Sequence, residues 1–290
     1  MARQTEFRPD IPSTARMYDY YLGGKDNYPA DRKAAETAIR MMPDGVVRTS
    51  AIQNRRFLIR AVRYLANDHG IRQFLDLGTG LPTMNNVHQI AQSAAPGSHV
   101  VYVDHYPIVI AHARDMLHAV PDTTILRHDL RQPESILKDP ALASMLDLSQ
   151  PVAVLLVAIL HFIKDSEDPA GIIETLMAAV PPGSWLVVSH FTADSYAQAD
   201  EAAHVYDKAT STLHSRTRAQ VAEMFAGCEL TEPGVVWTPQ WHPDADTGHE
   251  GDPGRSLFWC GVARKRLLRR FRLRGPLAGP SAGPLRAGRT

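Results

Sequence analysis

The chain has 290 residues, enough for one large domain or two small ones, and 44% of them are hydrophobic, so a full core can form. Its formal charge is zero, but residues 264–290 hold nine Lys or Arg and no acid, which leaves a net charge of −9 on the rest. An acidic body argues against a nucleic-acid-binding face on the main domain, because phosphate binding needs a basic surface.

The two cysteines, Cys228 and Cys260, both stand next to apolar residues. We therefore expect buried thiols, and the spacing fits neither a disulfide framework nor a zinc site. The N-terminus lacks the charged start and apolar run of a signal peptide, and the longest apolar run, residues 152–160, is too short to cross a bilayer. The sequence thus predicts a soluble, cytoplasmic protein.

Helical and strand patterns alternate along most of the chain, after polar and turn-rich residues 1–47. The predicted elements are a helix at 48–68, a strand at 73–77, a helix at 85–95, a strand at 99–103, a helix at 107–118, strands at 124–127 and 152–160, a helix at 169–179, a strand at 184–189, helical residues at 196–226 interrupted near Ser215, and strands at 229–237 and 256–263. This order predicts an α/β fold, a mostly parallel sheet with helices on both faces. The basic tail, 265–290, is rich in Gly, Pro and Arg, and we expect it to be disordered.

A glycine turn follows the first strand in the sequence FLDLGTG at 74–80, and Asp104 ends the next strand, 24 residues after Gly80. Glycines let the backbone turn tightly and approach a ligand, and a carboxylate at the end of the second strand can accept hydrogen bonds from ribose hydroxyls. A dinucleotide fingerprint would have a third glycine where Thr83 stands. The D-x-G-x-G pattern that begins at Asp76 is instead similar to the first motif of class I S-adenosylmethionine methyltransferases. An NAD(P)-dependent oxidoreductase on a similar sheet is an alternative, which Thr83 and Asp76 disfavour.

Two further blocks make the resemblance specific. The sequence STARMYDYYLGGKDNY at 13–28, the sequence FLDLGTGLPT at 74–83, and the segment from Pro182-Gly183-Ser184 to Ser189-His190 closely resemble a bacterial family of S-adenosylmethionine-dependent methyltransferases, long known as a domain of unknown function. The resemblance runs from about residue 8 to residue 264. It implies the class I Rossmann-like fold of seven strands, the last antiparallel, with a cofactor-binding domain at 48–264 beneath an N-terminal lid at 1–47. It implies no particular methyl acceptor.

The resemblance also assigns cofactor contacts, carried over residue by residue. The methionine part of the cofactor would be bordered by Asp76, Gly78 and Gly80, and Thr79 of the same turn would also bind the cofactor. The ribose hydroxyls would be held by Asp104, and the adenine would be contacted by Asp129 and the Leu130 amide. The floor near the sulfonium would be formed by Ala158 to His161. One departure is the run His105-Tyr106-Pro107, because related chains often have an acid or small polar residue after the ribose acid. Either ring can stack on adenine.

The N-terminal block is the candidate lid. Tyr18 and Tyr21, with two further tyrosines of the block, can place π faces against the sulfonium, an arrangement that favours cations. Gly24 gives a flexible turn, and Lys25 and Asn27 can reach the amino or carboxylate group of the methionine part. Alternatively, each tyrosine packs the first helix against the sheet.

Methyl transfer is an in-line displacement in which the enzyme mainly aligns acceptor, methyl and sulfur, and no metal is required. His161, after the buried fourth strand, is either a general base or a structural histidine, and His190 has the same ambiguity. His242, Asp244, Asp246, His249 and Glu250 resemble a metal cluster, but their spacing matches no standard site, and a solvated loop is the preferred interpretation.

The sequence thus favours a small-molecule methyltransferase that uses S-adenosyl-L-methionine. A non-catalytic S-adenosylmethionine-binding regulator stays open, because methyl transfer needs no obligatory catalytic residue. A nucleic-acid methyltransferase that uses the basic tail is a further alternative. The sequence is compatible with a homodimer.

Overall fold

The computed structural model of the chain describes residues 8–43, 45–82, 85–244 and 252–266. The predictions for Thr83, for Asp246, His249 and Glu250, and for all but the first two residues of the basic tail lie outside these residues.

The described residues form eight strands in a single sheet. The strands are β1 (Gln73–Leu77), β2 (His99–Asp104), β3 (Thr123–Arg127), β4 (Ala153–Val157), β5 (Trp185–Phe191), β6 (Cys228–Leu230), β7 (Val236–Trp237) and β8 (Phe258–Lys265). Their order is β3-β2-β1-β4-β5-β8-β6, with β7 also paired to β8. β1 to β5 pair with one another in parallel, and β8 is antiparallel to β5. The predicted sheet, mostly parallel with an antiparallel last strand, is confirmed, and the two-residue β7 is added to its seven strands.

The extra strand arises because the predicted strand 229–237 is broken. Pro233 lacks the N–H that a sheet ladder needs, and Gly234, with a φ of +83°, turns the chain so that its N–H donates to the Thr231 carbonyl oxygen at 2.8 Å. Two short strands, β6 and β7, therefore stand where one was predicted.

Helices cover both faces of the sheet. In chain order they are α1 (Thr14–Tyr21), α2 (Pro29–Met41), α3 (Val46–Asn67), α4 (Val87–Ala94), α5 (Pro107–Leu117), α6 (Pro133–Leu137), α7 (Pro140–Met145), α8 (Pro169–Ala178), α9 (Gln198–Ala203) and α10 (Arg218–Glu223). Successive strand residues point to opposite faces, so that Phe74 and Val100 join the core beneath α3 to α5, whereas Leu75 and Val101 join the core on the other face. Among the described helices, none has both the length and the hydrophobicity that a membrane crossing requires.

The predicted helical stretch at 196–226 is interrupted near Ser215 as expected, but the interruption extends over nine residues. Residues 209–217 are not helical: the Thr210 N–H donates to the Pro12 carbonyl oxygen at 2.9 Å, and the His214 N–H donates to the His161 carbonyl oxygen at 2.8 Å. Hydrogen bonds to distant parts of the chain thus replace the helical ones in this segment.

The N-terminal residues form two helices that pack on the main domain. α1 contacts α2 and α3, and α2 contacts α3 and α9. Met17, Tyr21, Ala35 and Ala51 are the buried members of this interface. α3 begins at Val46, and the predicted boundary at residue 47 therefore falls within its first turn.

Candidate functional site

The carboxyl ends of β1 to β4 meet at one edge of the sheet, where open α/β sheets bind ligands. A cavity lies at this edge, and residues of α1, α2, α3 and α9 line its other walls. Twelve of the fifteen predicted site residues line it: Tyr18, Tyr21, Asp76, Gly78, Thr79, Gly80, Asp104, His105, Asp129, Leu130, Ala158 and His161. Gly24, Lys25 and Asn27 do not.

The glycine turn after β1 is held by the neighbouring strand. The Gly78 N–H donates to the Val103 carbonyl oxygen at 2.8 Å, and the φ values of Gly78 and Gly80 are +72° and +67°. A Cβ on Gly78 would lie 2.3 Å from Cγ1 of Ile159. A larger residue at this position would therefore both strain the backbone and clash with the loop after β4.

Asp104 is fixed at the end of β2 by backbone donors. Its Oδ2 accepts from the Gly80 N–H at 3.0 Å and its Oδ1 from the Tyr106 N–H at 2.9 Å, while Nδ1 of His105 lies 3.9 Å from Oδ1. Burial raises the pKa of Asp104 despite these donors. Each carboxylate oxygen keeps acceptor capacity after one such bond, so that a hydroxyl in the cavity can still be bound.

Asp76 is a second buried acid beside the turn, with 7% of its surface exposed. Burial raises its pKa to about 6, against the opposing effects of the Arg55 charge and a hydrogen bond from Thr79. A buried carboxyl of this kind favours a cation beside it, because a cation would stabilise the ionised form.

Asp129, after β3, is paired with Arg131. Nη2 of Arg131 donates to Oδ2 at 2.7 Å and Nε to Oδ1 at 2.9 Å, while Nη1 reaches Oε1 of Glu167 at 3.1 Å. Burial alone would raise the pKa of Asp129, but the hydrogen bonds from Arg131 bring it below the ordinary value. Asp129 is therefore a carboxylate at neutral pH, with part of its acceptor capacity already used.

Ala158 follows β4 with a φ of +55°, a left-handed conformation that costs free energy in a residue with a Cβ. Its N–H donates to both the carbonyl oxygen (3.1 Å) and Oγ (3.0 Å) of Ser189. Oγ of Ser189 in turn donates to Oδ1 of Asn54 at 2.5 Å. Buried hydrogen bonds from β5 and α3 thus hold the strained end of β4 against the cavity.

The two candidate tyrosines of α1 are hydrogen-bonded within the protein. The Tyr18 hydroxyl donates to the Ala51 carbonyl oxygen at 3.1 Å and accepts from Nδ2 of Asn54 at 2.9 Å, and the Tyr21 hydroxyl accepts from that of Tyr206 at 3.2 Å. Burial raises the pKa of Tyr18 and raises that of Tyr21 well above its ordinary value. Both rings line the cavity and also pack α1 onto its neighbours.

His161 is buried at the cavity wall. Its Nδ1 accepts from the Phe191 N–H at 3.3 Å, which leaves the ring proton on Nε2. Burial, with His190 and Arg216 nearby, holds the pKa of His161 well below its ordinary value. The ring is therefore neutral at physiological pH and presents an N–H.

His190 lies away from the cavity lining and has a structural role. Its Nδ1 donates to the Phe191 carbonyl oxygen at 2.7 Å, and its Nε2 accepts from Nη1 of Arg216 at 2.7 Å. The same guanidinium donates to the carbonyl oxygens of Leu160 and Ile163. Burial lowers the pKa of His190 to about 3. Arg216 thus fastens the loop after β4 to β5.

The turn after α1 differs from its predicted role. Nδ2 of Asn27 donates to Oδ2 of Asp19 at 2.8 Å, and Lys25 is exposed. A Cβ on Gly24 would lie 1.8 Å from Oδ1 of Asp19. Gly24 and Asn27 therefore hold the carboxylate of Asp19, and it is Asp19 that lines the cavity.

The polar lining residues that sequence reasoning missed include Asp19, Asn54 and Arg55. Asp19 lies within the recognised block, but its neighbours were preferred. Asn54 is 2% exposed, in a helix whose nearby buried residues include Ala51, Phe57 and Leu58. An amide among apolar residues is the signal that could have identified it, because a buried amide needs partners.

Of the five residues that resemble a metal cluster, only His242 and Asp244 are described, and among the described residues no group of three or more His, Cys, Asp or Glu side chains could hold a metal ion. Nε2 of His242 lies 3.0 Å from the Glu232 carbonyl oxygen, and Asp244 pairs with Arg63 at 3.5 Å.

Comparison with known proteins gives the family. The model of the S-adenosyl methyltransferase family matches residues 2–266. A crystal structure of a DUF574 family protein from Streptomyces avermitilis is 42% identical, with a TM-score of 0.85 over 89% of this chain and 100% of that chain. A candidate methyltransferase from Thermobifida fusca is 39% identical, with a TM-score of 0.83 over 89% of this chain and 96% of that chain. No functionally curated protein is detectably similar in sequence. The chain, with its strand-end cavity and its D-x-G-x-G turn, therefore belongs to the S-adenosyl methyltransferase family, whose cofactor is S-adenosyl-L-methionine.

Proposed function

We propose that the chain catalyses methyl transfer from S-adenosyl-L-methionine to a small-molecule acceptor that enters the cavity beside Ala158. One observation carries this proposal: a single cavity contains both the acid-and-glycine wall of β1 to β3 and an uncharged wall from α2, α9 and the start of β8. A cofactor and an acceptor can therefore lie side by side. A regulator that bound the cofactor alone would not need the second wall.

The cofactor would be held by residues of the first wall. Asp104, fixed by two backbone donors, suits the ribose hydroxyls, and Asp76 suits the positively charged amino group of the methionine part. Asp129 and the Leu130 amide would contact the adenine. When bound, S-adenosyl-L-methionine supplies an activated methyl group that transfers in line to a nucleophilic atom.

The chain's own residues contribute mainly alignment. Tyr18 keeps its proton, because its pKa is raised and its hydroxyl has partners within the protein. His161 is a weak base and presents an N–H, which suits orienting an acceptor atom better than removing its proton. Catalysis would then depend on the proximity of acceptor and methyl group.

Calorimetry with S-adenosylhomocysteine, S-adenosylmethionine and NADH tests the proposal. We expect micromolar binding of the first two, roughly −8 kcal/mol, lost in Asp104→Ala. The exposed Asp115 of α5 gives a matched control, Asp115→Ala, that should bind as the wild type does. Preferential binding of NADH, or no binding of either adenosyl compound, would contradict the proposal.

A further inference from the structure

The cavity is divided by charge. Its charged lining residues, other than histidines, are Asp19 on α1, Arg55 on α3, and Asp76, Asp104, Asp129 and Arg131 at the ends of β1 to β3. The lining residues contributed by α2, α9, the end of β5 and the start of β8 are all uncharged. We call six of these the acceptor pocket: Met42, Phe191, Ala199, Ala202, Ala203 and Phe258.

The acceptor pocket adjoins the strained end of β4. Its six residues belong to one hydrophobic cluster, against which Ala158 packs. Because Ala158 follows the strand end that borders the proposed sulfonium position, a molecule in this pocket would lie next to the methyl group.

Small side chains make room in the acceptor pocket. Ala199, Ala202 and Ala203 fall at helical spacing on one face of α9, are each no more than 7% exposed, and line the cavity. α9 packs against α2, and Met42 directly follows α2. A larger side chain on this face of α9 would fill the space from one side.

Aromatic rings form another part of the acceptor pocket lining. Phe191 and Phe258 meet edge to face at 6.3 Å between centroids, and the His161 ring lies 5.7 Å from Phe258 and 6.4 Å from Phe191. Edge-to-face and offset contacts are the arrangements that aromatic rings favour, so this wall suits a further ring.

Charge selects against ionic acceptors. A charged group that entered the acceptor pocket would lose its hydration and would find no oppositely charged side chain there. Burying a charge in this way is costly. The N–H of His161 at the pocket wall is a donor that can meet one neutral oxygen or nitrogen.

Resting on the proposed function, we infer that the methyl acceptor is an uncharged small molecule built on an aromatic ring, bound in the acceptor pocket with its hydroxyl or amine directed toward Ala158 and His161.

The test measures binding of 2-naphthol, a neutral aromatic hydroxyl compound, to the full chain saturated with S-adenosylhomocysteine, by calorimetry. We expect the wild type to bind 2-naphthol saturably. We expect it to bind the anionic naphthalene-2-sulfonate more weakly, by more than about tenfold. Ala202→Trp should weaken 2-naphthol binding by more than about tenfold, because the indole fills the pocket. Ala197→Trp, at an exposed position just before α9, is the matched control and should bind as the wild type does.

A second variant keeps the inference testable if Ala202→Trp does not fold. Phe258→Leu keeps an apolar side chain but removes a ring, and we expect it to weaken 2-naphthol binding roughly threefold to tenfold. Binding of S-adenosylhomocysteine that persists without 2-naphthol binding, or equal affinities for the sulfonate and the naphthol, would overturn the inference and leave the proposed function standing. Loss of S-adenosylhomocysteine binding by the wild type would instead reject the proposed function.

Discussion

At the scale of single residues, Asp76 combines burial with a charge. Burial raises its pKa to about 6 from an ordinary value of 3.8. The folded protein therefore holds this proton more tightly than the unfolded chain does. The contribution of protonated Asp76 to the free energy of unfolding is fully present below pH 4 and is lost as the pH rises through 6. The loss amounts to about 3 kcal/mol. Asp76→Asn removes the ionisation, so we expect the variant to gain stability relative to the wild type between pH 4 and pH 8 in urea unfolding.

Two controls accompany this prediction. Asp115→Asn changes an exposed acid on α5, and its stability difference from the wild type should hardly vary over the same range. The affinity of the wild type for S-adenosylhomocysteine should rise from pH 5 to pH 7, because an ammonium group favours the ionised form of Asp76, whereas that of Asp76→Asn should stay flat. A stability difference independent of pH would show that Asp76 ionises with an ordinary pKa.

At the scale of the elements, one buried chain of hydrogen bonds joins β4, β5, α3 and α1. It runs from the Ala158 N–H to Oγ of Ser189, on to Asn54, and to the Tyr18 hydroxyl. Ser189→Ala leaves Oδ1 of Asn54 without this donor, which should cost about 1–3 kcal/mol in the free energy of unfolding. We also expect weaker binding of S-adenosylhomocysteine, since Ala158 and Tyr18 both line the cavity.

Ser50→Ala is the matched variant for this experiment. Ser50 is also buried and lines the cavity, but its Oγ donates to the Val47 carbonyl oxygen within α3 itself. Because no second element loses a donor, the decrease in the free energy of unfolding of Ser50→Ala should lie near the lower end of the range for one hydrogen bond, about 0.5 kcal/mol. Equal losses in the two variants would show that the chain of hydrogen bonds does not couple the elements.

The elements themselves were largely predictable, because strand and helix patterns are local. β1 was predicted with its observed ends, and the wall of acids and glycines followed from the strand-turn-strand order. What the sequence could not give depends on residues far apart in the chain. Arg216 donates hydrogen bonds to His190 and to the loop after β4, and no sequence pattern near residue 216 predicts these partners.

The turn after α1 shows a second limit. Polar residues after a glycine pair suggested direct contact with a ligand, but Asn27 binds Asp19. Composition identifies a functional segment in such a case, while the hydrogen bonds decide which of its polar side chains faces the cavity.

At the scale of the whole molecule, charge is distributed unevenly between the body, residues 1–266, and the residues that follow. Residues 1–266 hold 25 basic and 31 acidic residues, and the six remaining basic residues all follow residue 266. Lys265 belongs to the body, since its Nζ donates to the carbonyl oxygens of Met177 and Val180 at 2.6 and 2.7 Å. A truncation should therefore end after residue 266, just past the end of β8, and not at the predicted boundary of 264.

We expect the chain of residues 1–266 to bind S-adenosylhomocysteine as the full chain does, with an unchanged unfolding transition. It should have no measurable affinity for a DNA duplex or a single-stranded RNA in fluorescence anisotropy, because a net negative body cannot replace counterions at phosphates. Any nucleic-acid binding by the full chain should then come from the tail. Its affinity should fall steeply with salt concentration, with a slope that corresponds to no more than about six phosphate contacts. Nucleic-acid affinity that survives the truncation would place a basic face on the body and restore a nucleic-acid acceptor in preference to a small molecule.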